Sequence, residues 1–180
     1  MARTKLQTLS LAYAFTFTLI IAFFAQLKFS LTLVPITGQT LALGLTATLL
    51  GARYATCSVG FYLLLGILGL PVFSGMTSGL EVISGPKGGY LLSFIPAAFF
   101  IGYYLEKTAF TTLNAWLANC LAMFFILSFG MVWLKLVADI SWSRAFFGGF
   151  TPFILGGLIK AFLAGWLGIY LKRKLPIFNK

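Results

Sequence analysis

Apolar residues in this chain fall into six runs, each closed by a short cluster of charge, glycine or proline. The runs cover about 8–27, 39–50, 54–68, 90–105, 112–136 and 150–171. A helix rising about 1.5 Å per residue needs roughly 20 residues to cross a hydrocarbon core of about 30 Å, and the longest runs meet that length. The second run is short, and Gly51-Ala52-Arg53 parts it from the third as a tight basic turn. Long apolar stretches with no long polar segment between them predict an all-α membrane protein. The expected architecture is a six-transmembrane-helix bundle in a single domain, 1–180.

One stretch breaks the pattern. Residues 69–90, GLPVFSGMTSGLEVISGPKGGY, hold six glycines and two prolines between two apolar runs. Gly and Pro cost about 1 and 3 kcal/mol per interior helical position relative to Ala, so this stretch is no spanning helix. Its backbone N–H and C=O groups need water, protein or ligand as partners. A solvated connector is one reading. The length of the stretch and its apolar residues, among them Phe73, Met76 and Ile83, favour a lid or pocket wall. The adjacent pair Gly88 and Gly89 is the natural hinge of such a lid. A second polar patch, Val34–Thr40, contains the helix breakers Pro35 and Gly38. Thr32, Thr37, Gln39 and Thr40 bring uncharged donors and acceptors to this region, either as ligand contacts or, for Thr37 or Thr40, as caps of the helix that follows.

Composition agrees with the pattern: 60% of residues are hydrophobic, 9% are charged, and the mean hydropathy is +0.99. The formal net charge of +10 does not point to nucleic acid, because the cations stand at the ends of apolar runs. With six spans both termini lie on one side. Eight basic residues fall there (Arg3, Lys5, Arg53, Lys107, Lys172, Arg173, Lys174 and Lys180), against Lys28, Lys87, Lys135 and Arg144 opposite. The positive-inside rule then places both termini in the cytoplasm and the two polar patches on the outer face. Cys57 and Cys120 sit inside apolar runs and read as small buried hydrophobes rather than a disulfide or metal site.

Lys160 lies in mid-run, where a lysine costs about 2.5–3.5 kcal/mol on insertion scales and so marks a functional position. The chain's acids, Glu81, Glu106 and Asp139, all fall in loops or at span ends. An anionic ligand is therefore attractive, with snorkelling as the alternative. No G-x-x-x-x-G-K-[ST] cradle is present, so the chain does not hydrolyse ATP by itself. It has no His and no catalytic-triad motif, which disfavours an enzyme, and no metal site is expected. In the first run, Ala12/Thr16 and Ala14/Thr18 have the spacing that lets helix backbones approach closely, either inside the bundle or at a partner.

Four blocks in order carry a resemblance: Val34-Pro-Ile-Thr-Gly-Gln-Thr-Leu-Ala, Gly69-Leu-Pro-Val-Phe, Gly85-Pro-Lys-Gly-Gly-Tyr, and Pro152-Phe with Ile159-Lys160-Ala161. Together they resemble the BioY family, the biotin-specific S components of energy-coupling factor (ECF) transporters. The resemblance implies a multi-pass protein of a prokaryotic cell membrane that captures biotin at the outer face and needs no cofactor. It implies as partners a membrane coupling protein and two cytoplasmic ATPase subunits, which hydrolyse the ATP. Lys160, Thr37 and Gln39 would supply polar contacts, Phe73 and Tyr90 apolar ones, and Gly85, Gly88 and Gly89 the loop. Ala12, Ala14 and Thr16 would face the coupling partner. The family usually reads P-G-D-L-[IL]-K where this chain has Leu155-Gly-Gly-Leu-Ile-Lys, so Gly157 stands where an acid is expected. A stand-alone facilitator or channel for a small organic anion, and a structural subunit without ligand, are the competing readings.

Overall fold

The computed structural model describes residues 2–29 and 33–175, with side chains from Leu11 onward. The elements are α1 (Ala2–Gln26), β1 (Lys28–Phe29), β2 (Ile36–Thr37), α2 (Gln39–Ile67), α3 (Leu80–Ser84), α4 (Gly88–Lys107), α5 (Thr112–Ala138), α6 (Trp142–Gly149) and α7 (Thr151–Lys174). Gly51, at φ 76 and ψ 178, breaks α2 into limbs 39–50 and 52–67. Gln39 Nε2 donates to Tyr62 Oη at 2.6 Å, and these residues stand at nearly equal distances on either side of Gly51. The limbs therefore run antiparallel. Among the described residues the long helices are thus the six expected ones: α1, the two limbs, α4, α5 and α7.

The turn at Gly51 is held by α4. A β-carbon on Gly102 would fall 2.5 Å from Ala52 Cα, so only glycine admits this approach. One turn further on, Glu106 Oε1 accepts from the Ala52 N–H at 2.8 Å. That N–H opens the second limb and has no partner within it. Glu106→Ala should lower stability by about 1–3 kcal/mol, the cost of orphaning such a group. Thermal unfolding in detergent measures this, and an unchanged Tm would make Glu106 incidental.

The first limb, residues 39–50, rises only about 18 Å at about 1.5 Å per residue, well short of a bilayer core of about 30 Å. Its start consequently lies inside the bundle, and the space above it is roofed by other chain segments. β1 and β2 form an antiparallel hairpin there, pairing Lys28 with Thr37 and Phe29 with Ile36. Beside it the 69–87 strap is folded rather than solvated. The Phe73 N–H donates to the Thr77 carbonyl at 3.0 Å, and the Gly79 N–H to the Gly66 carbonyl at 2.7 Å. Gln26, at the end of α1, clamps the strap by donating to the carbonyls of Val72 and Phe73 and accepting from the Met76 N–H. Neither the hairpin nor the short helices α3 and α6 follows from the apolar pattern. Cys57 and Cys120 are free thiols and only partly buried.

Leu, Phe and Trp side chains such as Phe23, Leu121, Phe125 and Trp166 point outward around the bundle. Gln39–Ile67, Gly88–Lys107, Thr112–Ala138 and Trp142–Lys174 are each long and apolar enough to cross a membrane, and Leu11–Gln26 is a shorter apolar helix.

Candidate functional site

Under the hairpin and the strap lies a cavity with about 630 Å³ of non-atom space, counted out to its mouth. The hairpin contributes Val34, Pro35 and Thr37, α2 contributes Gln39 and Thr40, and the strap contributes Phe73, Ser74, Thr77, Val82 and Lys87. Tyr90, Leu91, Phe94, Ile126, Leu127, Phe153 and Lys160 close it from α4, α5 and α7. The site is mainly apolar with a few polar groups converging on it, which is the usual make-up of a small-molecule pocket. Its lining contains two lysines and no acid.

Five of the residues singled out from the sequence meet here: Lys160, Thr37, Gln39, Phe73 and Tyr90. Phe73 is 1% exposed. It fits where Gly66 has no side chain and meets Tyr62 edge-on, with ring centroids 5.5 Å apart. Tyr90 packs on Gly130 of α5, and its hydroxyl donates to the Gly149 carbonyl at 2.6 Å. Its hydroxyl proton is therefore already used, which leaves a ligand its ring and the oxygen's lone pairs. Lys160 Nζ donates to the Thr37 carbonyl at 2.9 Å, and among the described residues no carboxylate reaches it. Two of its three N–H donors remain available.

The uncharged polar residues divide unexpectedly. Thr37 Oγ1 donates to Gln39 Oε1 at 2.8 Å, and Gln39 Nε2 is taken by Tyr62. These two side chains are largely spent on one another. Thr40 Oγ1 and Ser74 Oγ, by contrast, are buried with no protein partner, and both residues line the cavity. Buried polar atoms are nearly always paired, so an orphan in a cavity wall points to something that fills the cavity. A smaller inner compartment continues from Thr40 and Lys160 toward Met123, Asn119 and Gly157. A β-carbon at Gly157 would run into Met123 Sδ, so Met123 fills the room left by the missing side chain.

Gly85, Gly88 and Gly89 are absent from the lining. Gly88 packs on the Ile83 carbonyl, Gly89 on the Trp133 side chain, and the Gly85 carbonyl accepts from Trp133 Nε1 at 3.0 Å. Gly88 and Gly89 are helical and tightly packed, unlike the loose turn that a hinge calls for. The left-handed backbone of the strap lies at Gly69, Gly75, Met76 and Gly79.

The small residues of α1 divide as well. Ala12 and Thr16 are exposed, beside Leu11, Phe15 and Leu19. Ala14 is fully buried, and its carbonyl accepts from Ser58 Oγ at 2.8 Å. Ala14 therefore belongs to the internal contact between α1 and α2. From the sequence Lys87 reads only as a loop cation and Ser74 only as a loop hydroxyl, and nothing local separates Thr40 from its polar neighbours until its lack of a protein partner is visible.

Comparison with known proteins gives a consistent answer. The BioY family description matches residues 1–177. The chain is 41% identical over its whole length to the biotin transporter BioY2 of Lactococcus lactis subsp. cremoris (strain MG1363), covering 98% of that protein. It is 39% identical to the biotin transporter BioY of Thermotoga maritima, with 87% of this chain and 92% of that one aligned. Among solved structures, the S component for biotin from an ECF-type ABC transporter superposes with a TM-score of 0.86 at 28% identity, covering 93% of this chain and 92% of that chain. On the full-length sequence match and the shared six-helix bundle, the chain belongs to the BioY family.

Proposed function

We infer that this protein is the biotin-binding membrane subunit of an ATP-driven ECF-type uptake transporter, not an enzyme. The observation that carries this reading is the acid-free cavity, which has apolar walls, two lysines and two unpartnered hydroxyls. Biotin is an amphiphile with a cyclic urea at one end, a carboxylate at the other and hydrocarbon and sulfur between, and it matches that distribution. Its apolar middle would pack between Phe73, Tyr90 and Phe153.

The chain would sit in a prokaryotic cell membrane with the cavity facing outward and its termini in the cytoplasm, as the distribution of cations favours. Two ATPase subunits and a membrane coupling protein would drive release of the vitamin, with Ala12 and Thr16 in the docking face of α1. Equilibrium binding of labelled biotin to the purified protein in detergent tests the reading. Saturable one-to-one binding is expected, and its absence would leave a structural subunit. Rapid biotin entry into liposomes containing this chain alone, down a gradient, would instead favour a facilitator.

A further inference from the structure

A groove opens at the other end of the bundle, where the start of α5 meets the last turns of α7. It has about 580 Å³ of non-atom space, counted out to its open side, and is lined by Thr112, Trp166, Ile169, Tyr170, Arg173 and Lys174. Trp166, Tyr170 and Lys174 follow one another at i, i+4 spacing along one face of α7. The two rings stack with centroids 6.0 Å apart, and Lys174 Nζ lies 4.9 Å from the Tyr170 centroid. The neighbouring Lys172 is employed elsewhere, 4.2 Å from the centroid of the Phe110 ring and within electrostatic reach of Glu106. Arg173 and Lys174 are exposed, and no acid lines their groove. Of the chain's three acids, Glu81 and Asp139 stand at the opposite end of the bundle, and Glu106 accepts from the Ala52 N–H.

We propose that this groove binds an anionic phospholipid, with the lipid phosphate between Arg173, Lys174 and Thr112 and an acyl chain lying along α7. The guanidinium of Arg173 is a planar fork of donors that matches phosphate oxygens, and Lys174 adds a second full charge. The first turn of α5, which starts at Thr112, contributes partial positive charge on the facing wall. The change of character along α7 selects a lipid over a free anion. Its face runs from the exposed apolar Phe162 through the rings of Trp166 and Tyr170 to the cation of Lys174. Between Trp166 and Lys174 the helix rises about 12 Å at about 1.5 Å per residue, enough to pass from hydrocarbon to headgroups. Trp and Tyr gather at that boundary, and basic pockets between spanning helices on the cytoplasmic side take anionic headgroups. A soluble phosphate would gain nothing from the apolar part of this face. Biotin plays no part in the site, and the leaflet concerned is the one on the side of the termini, the cytoplasmic one in the orientation inferred above.

Native mass spectrometry of the full chain in detergent compares the Kd of dioleoyl phosphatidylglycerol with that of the zwitterionic dioleoyl phosphatidylcholine. The native chain should prefer phosphatidylglycerol by about twenty- to thirtyfold, since each of two cations beside an anionic lipid contributes about fivefold. Arg173→Gln combined with Lys174→Gln should bring that ratio to about one. Thr112→Glu, which puts an acid into the groove in the first turn of a helix, where a negative charge is tolerated, should do the same. Arg53→Gln combined with Lys107→Gln removes as many charges from exposed positions at the same end and should leave the ratio unchanged. No preference in the native chain, or an equal loss in the Arg53 and Lys107 pair, overturns the groove as the site. Displacement of bound phosphatidylglycerol by an equimolar amount of glycerol 1-phosphate overturns the lipid in favour of a free phosphate. All of these outcomes are the same whether or not the chain binds biotin.

Discussion

Lys160→Ala is expected to weaken biotin binding by about 1.5–3 kcal/mol, the value of a charge-assisted hydrogen bond in a shielded site. In Kd that is roughly ten- to hundred-fold. The substitution removes the lysine that lines both the main cavity and the inner compartment, whereas Lys87 lines only the main cavity. Insertion into the membrane should not suffer, because a lysine at mid-helix opposes insertion by about 2.5–3.5 kcal/mol. One structural side effect is foreseeable: the Thr37 carbonyl loses its partner. Lys160→Met, which keeps the length and loses the charge, controls for packing. Unliganded Tm values report any loosening of the hairpin separately from affinity. A native Kd in Lys160→Ala would remove this residue from the ligand's contacts.

Lys160 was legible in the sequence because a cation inside an apolar run must have a reason to be there. The division at Gly51 was equally legible, since Gly51-Ala52-Arg53 ends an apolar run and predicts a turn. The hydroxyls were not. Val34–Thr40 shows several polar side chains at a helix start, and nothing local says which of them are already satisfied. That depends on Tyr62, brought to Gln39 by the antiparallel limbs of α2, and on the hairpin that carries Thr37. Gly88 and Gly89 illustrate the same limit. Flexibility and close packing both call for glycine, and only the positions of the Ile83 carbonyl and Trp133 distinguish them. On α1 the apolar pattern is uninformative for another reason. A lipid-facing residue and a protein-facing one are equally hydrophobic, so periodicity cannot separate Ala12 from Ala14.

That separation leads to opposite expected results two residues apart. Ala14 is 0% exposed. Its carbonyl accepts from Ser58 Oγ at 2.8 Å and Thr18 Oγ1 at 3.0 Å, and Thr18 Oγ1 also lies 2.8 Å from the Ser58 carbonyl. A leucine there adds three carbons to a helix contact that depends on small side chains. Overpacking of this kind costs about 1–3 kcal/mol, and displacing α1 would also break the buried hydroxyl pair. Ala14→Leu should therefore lower Tm by roughly 3–10 °C. Biotin affinity should fall as well, because α1 ends in Gln26, which holds the strap over the cavity. Ala12→Leu places the same carbons on the exposed face, beside Leu11 and Phe15. Its Tm and biotin Kd should match the native protein, while ATP-driven uptake in cells that supply the coupling subunits should be lost, because bulk there keeps a partner helix at a distance. Normal uptake by Ala12→Leu would remove this face of α1 from partner docking. An Ala14→Leu protein with native Tm and affinity would show that α1 packs on α2 more loosely than its hydroxyl contacts require.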